Sequence, residues 1–189
     1  MNMNKDKIHL KKMETKEGCL VEAASLYNLV WNKEDQSFLE RLMRHGSYDG
    51  FQGELAYEGD ARLAGFVYGY YSQKGQYYRG LIEKELSEEE ALTWLEDCFE
   101  VVELAVHPES RKQGIGRLLE QRLLGEVSNK TAILTTQRDN FAALQLYRSL
   151  GWIAIKESFF PDQTGTAYVI MGKRLSHYKS PIAGGSEHD

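Results

Sequence analysis

The chain has 189 residues, of which 42% are hydrophobic and 27% charged, the profile of a folded domain with its own core rather than of a disordered or fibrous chain. No apolar run approaches the roughly 18 residues that a bilayer crossing needs, so no membrane partner is expected, and a net charge of −5 argues against a nucleic-acid partner, which calls for a basic surface. Two distant cysteines and five scattered histidines lack metal-ligand spacing, so no metal is expected, and a charged start without an apolar segment points to a cytoplasmic protein.

The first element is a strand in "DKIHLKKM", with Ile8 and Leu10 on one face. Leu20, Ala23, Ala24, Tyr27 and Val30 then recur at helical spacing, and "DQSFLERLMRHG" reads as a shorter helix stopped by Gly46. "FQGELAYEGDARLAGFVYGYYSQ" reads as a hairpin turning at Glu58, Gly59 and Asp60. A charged insert follows, where Ser87 and Glu90 form a capping-box pattern that predicts a local helix over "LSEEEALTWL". The dense run "FEVVELAV", ended by His107 and Pro108, is a buried strand. Next come a helix from about Gly116 to Val127, the strand "TAILTT", and a helix over "NFAALQLYRSL" stopped by Gly151. "WIAIKES" and "TAYVIMGKRL" are two last strands joined by a Pro-Asp turn. This order gives a mixed α/β (α+β) fold in one domain over 1–175, with helices packed on a sheet of about seven strands. The polar, glycine-rich residues 176–189 are predicted to be a disordered tail.

Between strand and helix lies Arg111-Lys112-Gln113-Gly114-Ile115-Gly116, followed by Arg117. Unpaired backbone N–H groups and the positive dipole end at a helix start form an anion site, and glycines let a phosphate approach without meeting a Cβ. Arg111, Lys112 and Arg117 add full charges. A dinucleotide fingerprint fails because the third position is Leu119, and a P-loop fails for want of Gly-Lys-Ser/Thr. A glycine-bearing turn without ligand is the alternative for this loop taken alone.

The pattern R-x-x-G-x-G after the strand "ELAV" resembles the acetyl-CoA-binding motif of the GNAT superfamily of N-acyltransferases. A second stretch, "TTQRDNFAALQLYRSLGW", resembles that family's other signature, with Asn140, an Ala, Tyr147 and a Gly-aromatic pair. The resemblance is strong over residues 101–152 and implies a central, mostly antiparallel sheet with helices on both faces. It implies that the amides of residues Arg111 to Arg117 hold the diphosphate of coenzyme A. Asn140 would bond the pantetheine arm, and that arm would lie along Leu104, Ala105 and Val106, where the strand splays from "TAILTT". Backbone groups of those three residues would steady the oxyanion, and Tyr147 would be the acid for the departing thiolate.

Acyl transfer to an amine also needs a base, because a lysine-like amine has a pKa of about 10.4 and is mostly protonated at neutral pH. Glu103 is the first candidate: it stands in an apolar run, where a carboxylate is expensive to bury, and it faces oppositely to Leu104. Its alternative is a structural carboxylate facing solvent or an arginine. Glu100 is the weaker candidate, and His107 reads as a turn residue. Family members that acetylate ribosomal-protein N-termini commonly carry a Glu five residues before the motif's Asn, where this chain has Thr135. The expected activity is acetyl transfer from acetyl-CoA, without metal, to a small-molecule or peptide amine. The alternative is a catalytically inactive acyl-CoA-binding sensor or partner protein. Most aromatic residues from Tyr27 to Trp94 read as packing on the sheet and helices, the alternative being that a few line a site for a cationic amine, and open sheet edges make a homodimer reasonable.

Overall fold

The computed structural model describes residues 8–34, 36–59 and 62–175. The expected tail and Asp60 of the expected turn lie outside these residues. Strands β1 (Ile8–Lys12), β2 (Gln52–Glu58), β3 (Arg62–Tyr71), β4 (Cys98–Val106), β5 (Thr131–Gln137), β6 (Ile153–Phe159) and β7 (Tyr168–Arg174) form one sheet in the order β1-β2-β3-β4-β5-β7-β6. Every neighbouring pair is antiparallel except β4 and β5. The helices are α1 (Glu17–Trp31), α2 (Ser37–His45), α3 (Tyr77–Glu85), α4 (Glu88–Leu95), α5 (Ile115–Gly125) and α6 (Phe141–Ser149).

Strand alternation divides the core. Phe66, Tyr68 and Ala105 turn towards α1 and α2, where Leu20, Ala23, Phe38 and Leu42 cover them. Val67, Phe99 and Val101 turn the other way, under Ile115, Leu119 and Leu123 of α5 and Leu144 of α6. Ile82, Trp94 and Leu95 of α3 and α4 pack on Ile133, Phe159 and Ile170. Helices therefore cover both faces, as expected. The capping box forms, with Glu90 N–H donating to Ser87 Oγ at 3.2 Å and Ser87 N–H to Glu90 Oε2 at 2.8 Å. Helix α3 was not expected, and the reason is physical: its buried residues are Arg79 and Ile82, which give no apolar period.

One irregularity shapes the site. On β3, Tyr68 pairs with Glu103 but Gly69 pairs with Val101, so Val102 is a bulge in β4. In a regular strand Glu100 and Glu103, three residues apart, would face opposite sides. The extra residue puts both on the α1–α2 side, in register with Tyr70 and Tyr68. Gly69 makes the bulge possible, because a Cβ there would run into the Glu100 carbonyl oxygen and the Phe99 ring. Gly69→Ala is expected to destabilise by about 1–3 kcal/mol through overpacking, at about 2–4 °C of thermal midpoint per kcal/mol. An unchanged midpoint in thermal denaturation would contradict this account of the bulge.

Candidate active site

The parallel pairing of β4 with β5 runs only from Cys98–Glu100 against Thr131–Ile133. Beyond it the strands splay, and a cavity of about 710 Å³ opens between them. Val101 to Leu104 and Leu134 to Gln137 form its floor. Tyr27, Trp31, Arg41 and His45 supply the α1–α2 wall, Tyr77 and Tyr78 come from α3, and Asn140, Ala143 and Tyr147 reach in from α6. Glu103 and Leu104 thus meet Asn140 and Tyr147, distant from them in sequence, at one opening.

Alternation in the ladder decides which backbone groups of β4 face the gap. His107 N–H donates to Ala64 O at 2.8 Å, so Ala105, two residues earlier, also points its N–H and C=O at β3. Leu104 and Val106 point theirs at the splayed edge, where Val106 O accepts from Arg111 Nε at 3.3 Å. Of the three residues expected to present backbone groups, Ala105 is therefore turned away, with its side chain buried at 2% exposure.

Both carboxyls on this face are perturbed. Burial pushes Glu103 up to about 7, against the pull of Arg41, the Trp31 indole N–H and Lys33. Burial likewise pushes Glu100 up to about 7, with Arg79 opposing, and its Oε2 is buried without a hydrogen-bond partner. A folded state that keeps a proton which the unfolded chain releases above about 4.5 loses stability as pH rises from there to about 7. Glu100→Gln removes that loss. Thermal denaturation at pH 5 and pH 8 is expected to show a smaller fall in midpoint for the variant than for the natural chain, and equal falls would contradict it.

Tyr147 is buried, with its ring edge-on to Trp152 at a centroid distance of 5.8 Å. Burial, reinforced by the negative charges of Glu103 and Glu120, holds its hydroxyl well above the usual phenol range, so it carries its proton at neutral pH. Asn140 is the N-cap of α6, its Oδ1 accepting from Ala143 N–H at 3.2 Å, which leaves its Nδ2 group as a donor beside the cavity. Thr135 Oγ1 lies 2.7 Å from Tyr78 Oη, so the position where family members that acetylate ribosomal-protein N-termini commonly carry a Glu is tied to α3. His107 Nδ1 accepts from Glu109 N–H at 3.2 Å, the turn role expected of it.

The loop before α5 stands apart from the residues lining the cavity. Lys112 (φ 60°) and Gly114 (φ 84°) are both left-handed, and the chain enters α5 at Ile115. Leu118 N–H makes the first helical bond, to Gly114 O at 3.0 Å. The N–H groups of Ile115, Gly116 and Arg117 therefore have no acceptor within the helix. The Ile115 side chain is in the core, so only its backbone is offered. Arg117 donates to Ser149 Oγ at 2.9 Å and Gln113 Nε2 to Glu109 O at 3.4 Å. Gly116 has a second reason to be glycine: a Cβ there would lie 3.0 Å from Leu146 Cδ2. Its smallness lets α5 approach α6, a packing role that the expectation of ligand access did not include.

Several cavity residues had no distinguishing signal in the sequence. Arg41, Arg44, His45 and Tyr168 are among them. His45 Nδ1 lies 3.1 Å from Tyr68 Oη, and burial, with Arg41 and Arg44 nearby, lowers its pKa to about 4. It is neutral at pH 7. Among the described residues no three His, Cys, Asp or Glu side chains are grouped to hold a metal ion, and no helix is long and apolar enough to cross a membrane.

Comparison with known proteins bears on the family and the fold. Over 67 residues the chain is 34% identical to the [ribosomal protein bS18]-alanine N-acetyltransferase of Escherichia coli K12, covering 33% of this chain and 45% of that protein. The chain spans less than half the length of the curated relatives it matches. The crystal structure of the ribosomal-protein-S18-alanine N-acetyltransferase from Escherichia coli superposes with a TM-score of 0.62 at 19% identity, over 97% of this chain and 100% of that one. A putative acetyltransferase from Salmonella typhimurium, solved with its cofactor acetyl-CoA, gives 0.64 at 16% identity, over 94% and 99%. At such identities these structures speak for the fold. Residues 20–152 match the acetyltransferase (GNAT) family as a whole, and the chain belongs to that family.

Proposed function

We propose that the chain transfers an acetyl group from acetyl-CoA to a primary amine by direct attack on the thioester. One observation carries this reading: the β4–β5 splay brings a carboxyl poised near neutrality and a protonated phenol to one cavity, Glu103 and Tyr147. The coenzyme would supply the activated acetyl group. The N–H groups of Ile115, Gly116 and Arg117 suit its diphosphate, with Arg111 and Lys112 beside them, and Asn140 Nδ2 suits an amide of its arm.

Glu103 takes a proton from the acceptor's ammonium, so that its nitrogen can form the new C–N bond. The Leu104 and Val106 edge offers N–H groups to the charge that develops on the carbonyl oxygen. Tyr147 holds the departing sulfur by a hydrogen bond as the C–S bond breaks, and the second proton of the attacking nitrogen passes to that sulfur through the phenol, which yields the amide and free thiol. Nothing in this sequence calls for a metal. Steady-state thiol release over a panel of amines tests the reading. Turnover of at least one amine supports it. Tight acetyl-CoA binding with no release on any amine would favour the non-catalytic binding protein.

A further inference from the structure

The acceptor side of the cavity carries opposite charges on facing walls. Lys33, Arg41 and Arg44 line the wall built by α1, α2 and their connection, and among the described residues none of the three makes an ion pair with a carboxylate. Arg41 is the most firmly placed. Its guanidinium lies 5.2 Å from the Phe38 ring centroid and 5.8 Å from that of Tyr27, and the two rings stack 3.8 Å apart with a 6° tilt. Such a platform orients the planar fork while leaving donors over; Arg41 Nε is buried without a hydrogen-bond partner. On β4 opposite, Glu100 is 3% exposed and its Oε2 has no partner either. Arg41 is also the foremost cation acting on Glu103, so the two groups share one neighbourhood.

Resting on the acetyl-transfer reading, we propose that the acceptor is a free amino acid, a molecule whose carboxylate pairs with Arg41 while its amino group faces Glu103. A guanidinium fork matches a carboxylate with two parallel charge-assisted hydrogen bonds. A polyamine would bring several positive charges to a wall that already holds three. A plain alkylamine brings no carboxylate to Arg41, and a protein N-terminus presents a neutral peptide carbonyl where the carboxylate belongs.

Initial rates of thiol release from acetyl-CoA with matched pairs decide the matter: phenylalanine against phenethylamine, and leucine against isopentylamine. For the natural chain kcat/KM is expected to be at least about tenfold higher for the amino acid of each pair, the scale of one charge-assisted contact. Arg41→Gln is expected to shrink that ratio about tenfold or more, and Arg41→Lys, with charge but no fork, to give an intermediate ratio. Equal or higher kcat/KM for the carboxylate-free amines, for spermidine or for a peptide with N-terminal alanine would overturn the proposal. So would an undiminished ratio in Arg41→Gln. If no amine is turned over, the acetyl-transfer reading fails but the carboxylate preference is still measurable. Calorimetric titration of phenylalanine and phenethylamine into CoA-saturated protein then reads it without chemistry. Tighter binding of the amino acid supports the proposal; equal binding, or binding of neither, overturns it.

Discussion

Glu103→Gln is expected to lower kcat by about 10²–10⁴, the range of a single general base, and to flatten the pH profile. Burial sets Glu103 near 7, so its basic, ionised form accumulates as pH rises through that value. The rate of the natural chain should therefore climb across neutrality and level off above it. In the Gln variant that limb is absent. Glu100 is raised to a similar value, which makes it the necessary comparison. The limb should survive Glu100→Gln, and the reverse pattern would move the base to Glu100. A rate within threefold of the natural chain in Glu103→Gln would remove the base role altogether.

Tyr147→Phe is expected to lower kcat by about a hundredfold, at the lower end of acid-catalysis effects, while CoA affinity stays within about threefold. The direction of the Tyr147 shift explains why the lower end applies. A phenol held above its ordinary range keeps its proton better than a thiol does, so it steadies the leaving sulfur chiefly as a hydrogen-bond donor. Phe keeps the ring that packs edge-on to Trp152, so the change removes one hydroxyl and little else. Rate and affinity measured together make the test. Equal losses in both would show a ground-state contact, and an unaltered rate would end the acid assignment.

How much of this could be read in the chain beforehand depended on whether each feature is local. Capping boxes and helix stops are local, so the Ser87–Glu90 box and Gly151, which takes the left-handed conformation after α6, were legible. The buried strand before the glycine loop was legible too, because β-branched density announces it. The bulge at Val102 was not: it exists only against Gly69 of the neighbouring strand, and it decides which way Glu100 faces. Helix α3 stayed hidden because a buried arginine breaks its apolar period.

The same division runs through the site. Glu103, Asn140 and Tyr147 stand in recognisable motifs and do converge. Gly116 was assigned to ligand access alone, since its contact with Leu146 of another helix leaves no local trace. The aromatic residues were ambiguous for a similar reason. Trp31, Tyr48, Tyr70, Tyr77 and Tyr78 line the cavity, Tyr68 and Trp94 are packed into separate core clusters, and Tyr27 does both. Ring chemistry is the same in both groups, and only tertiary placement separates them. Arg41 belongs to the helix-surface pattern of α2 until the Tyr27–Phe38 stack gives it a fixed direction.

The proposed function requires the loop at the start of α5 and the β4–β5 splay to receive a diphosphate and the arm attached to it. Isothermal titration of the full chain with CoA, with ATP as the comparison, addresses that requirement most directly. A saturable 1:1 heat with CoA, and binding at least tenfold weaker for ATP, is the predicted result. No heat with CoA on folded protein, or tighter binding of ATP, would contradict it.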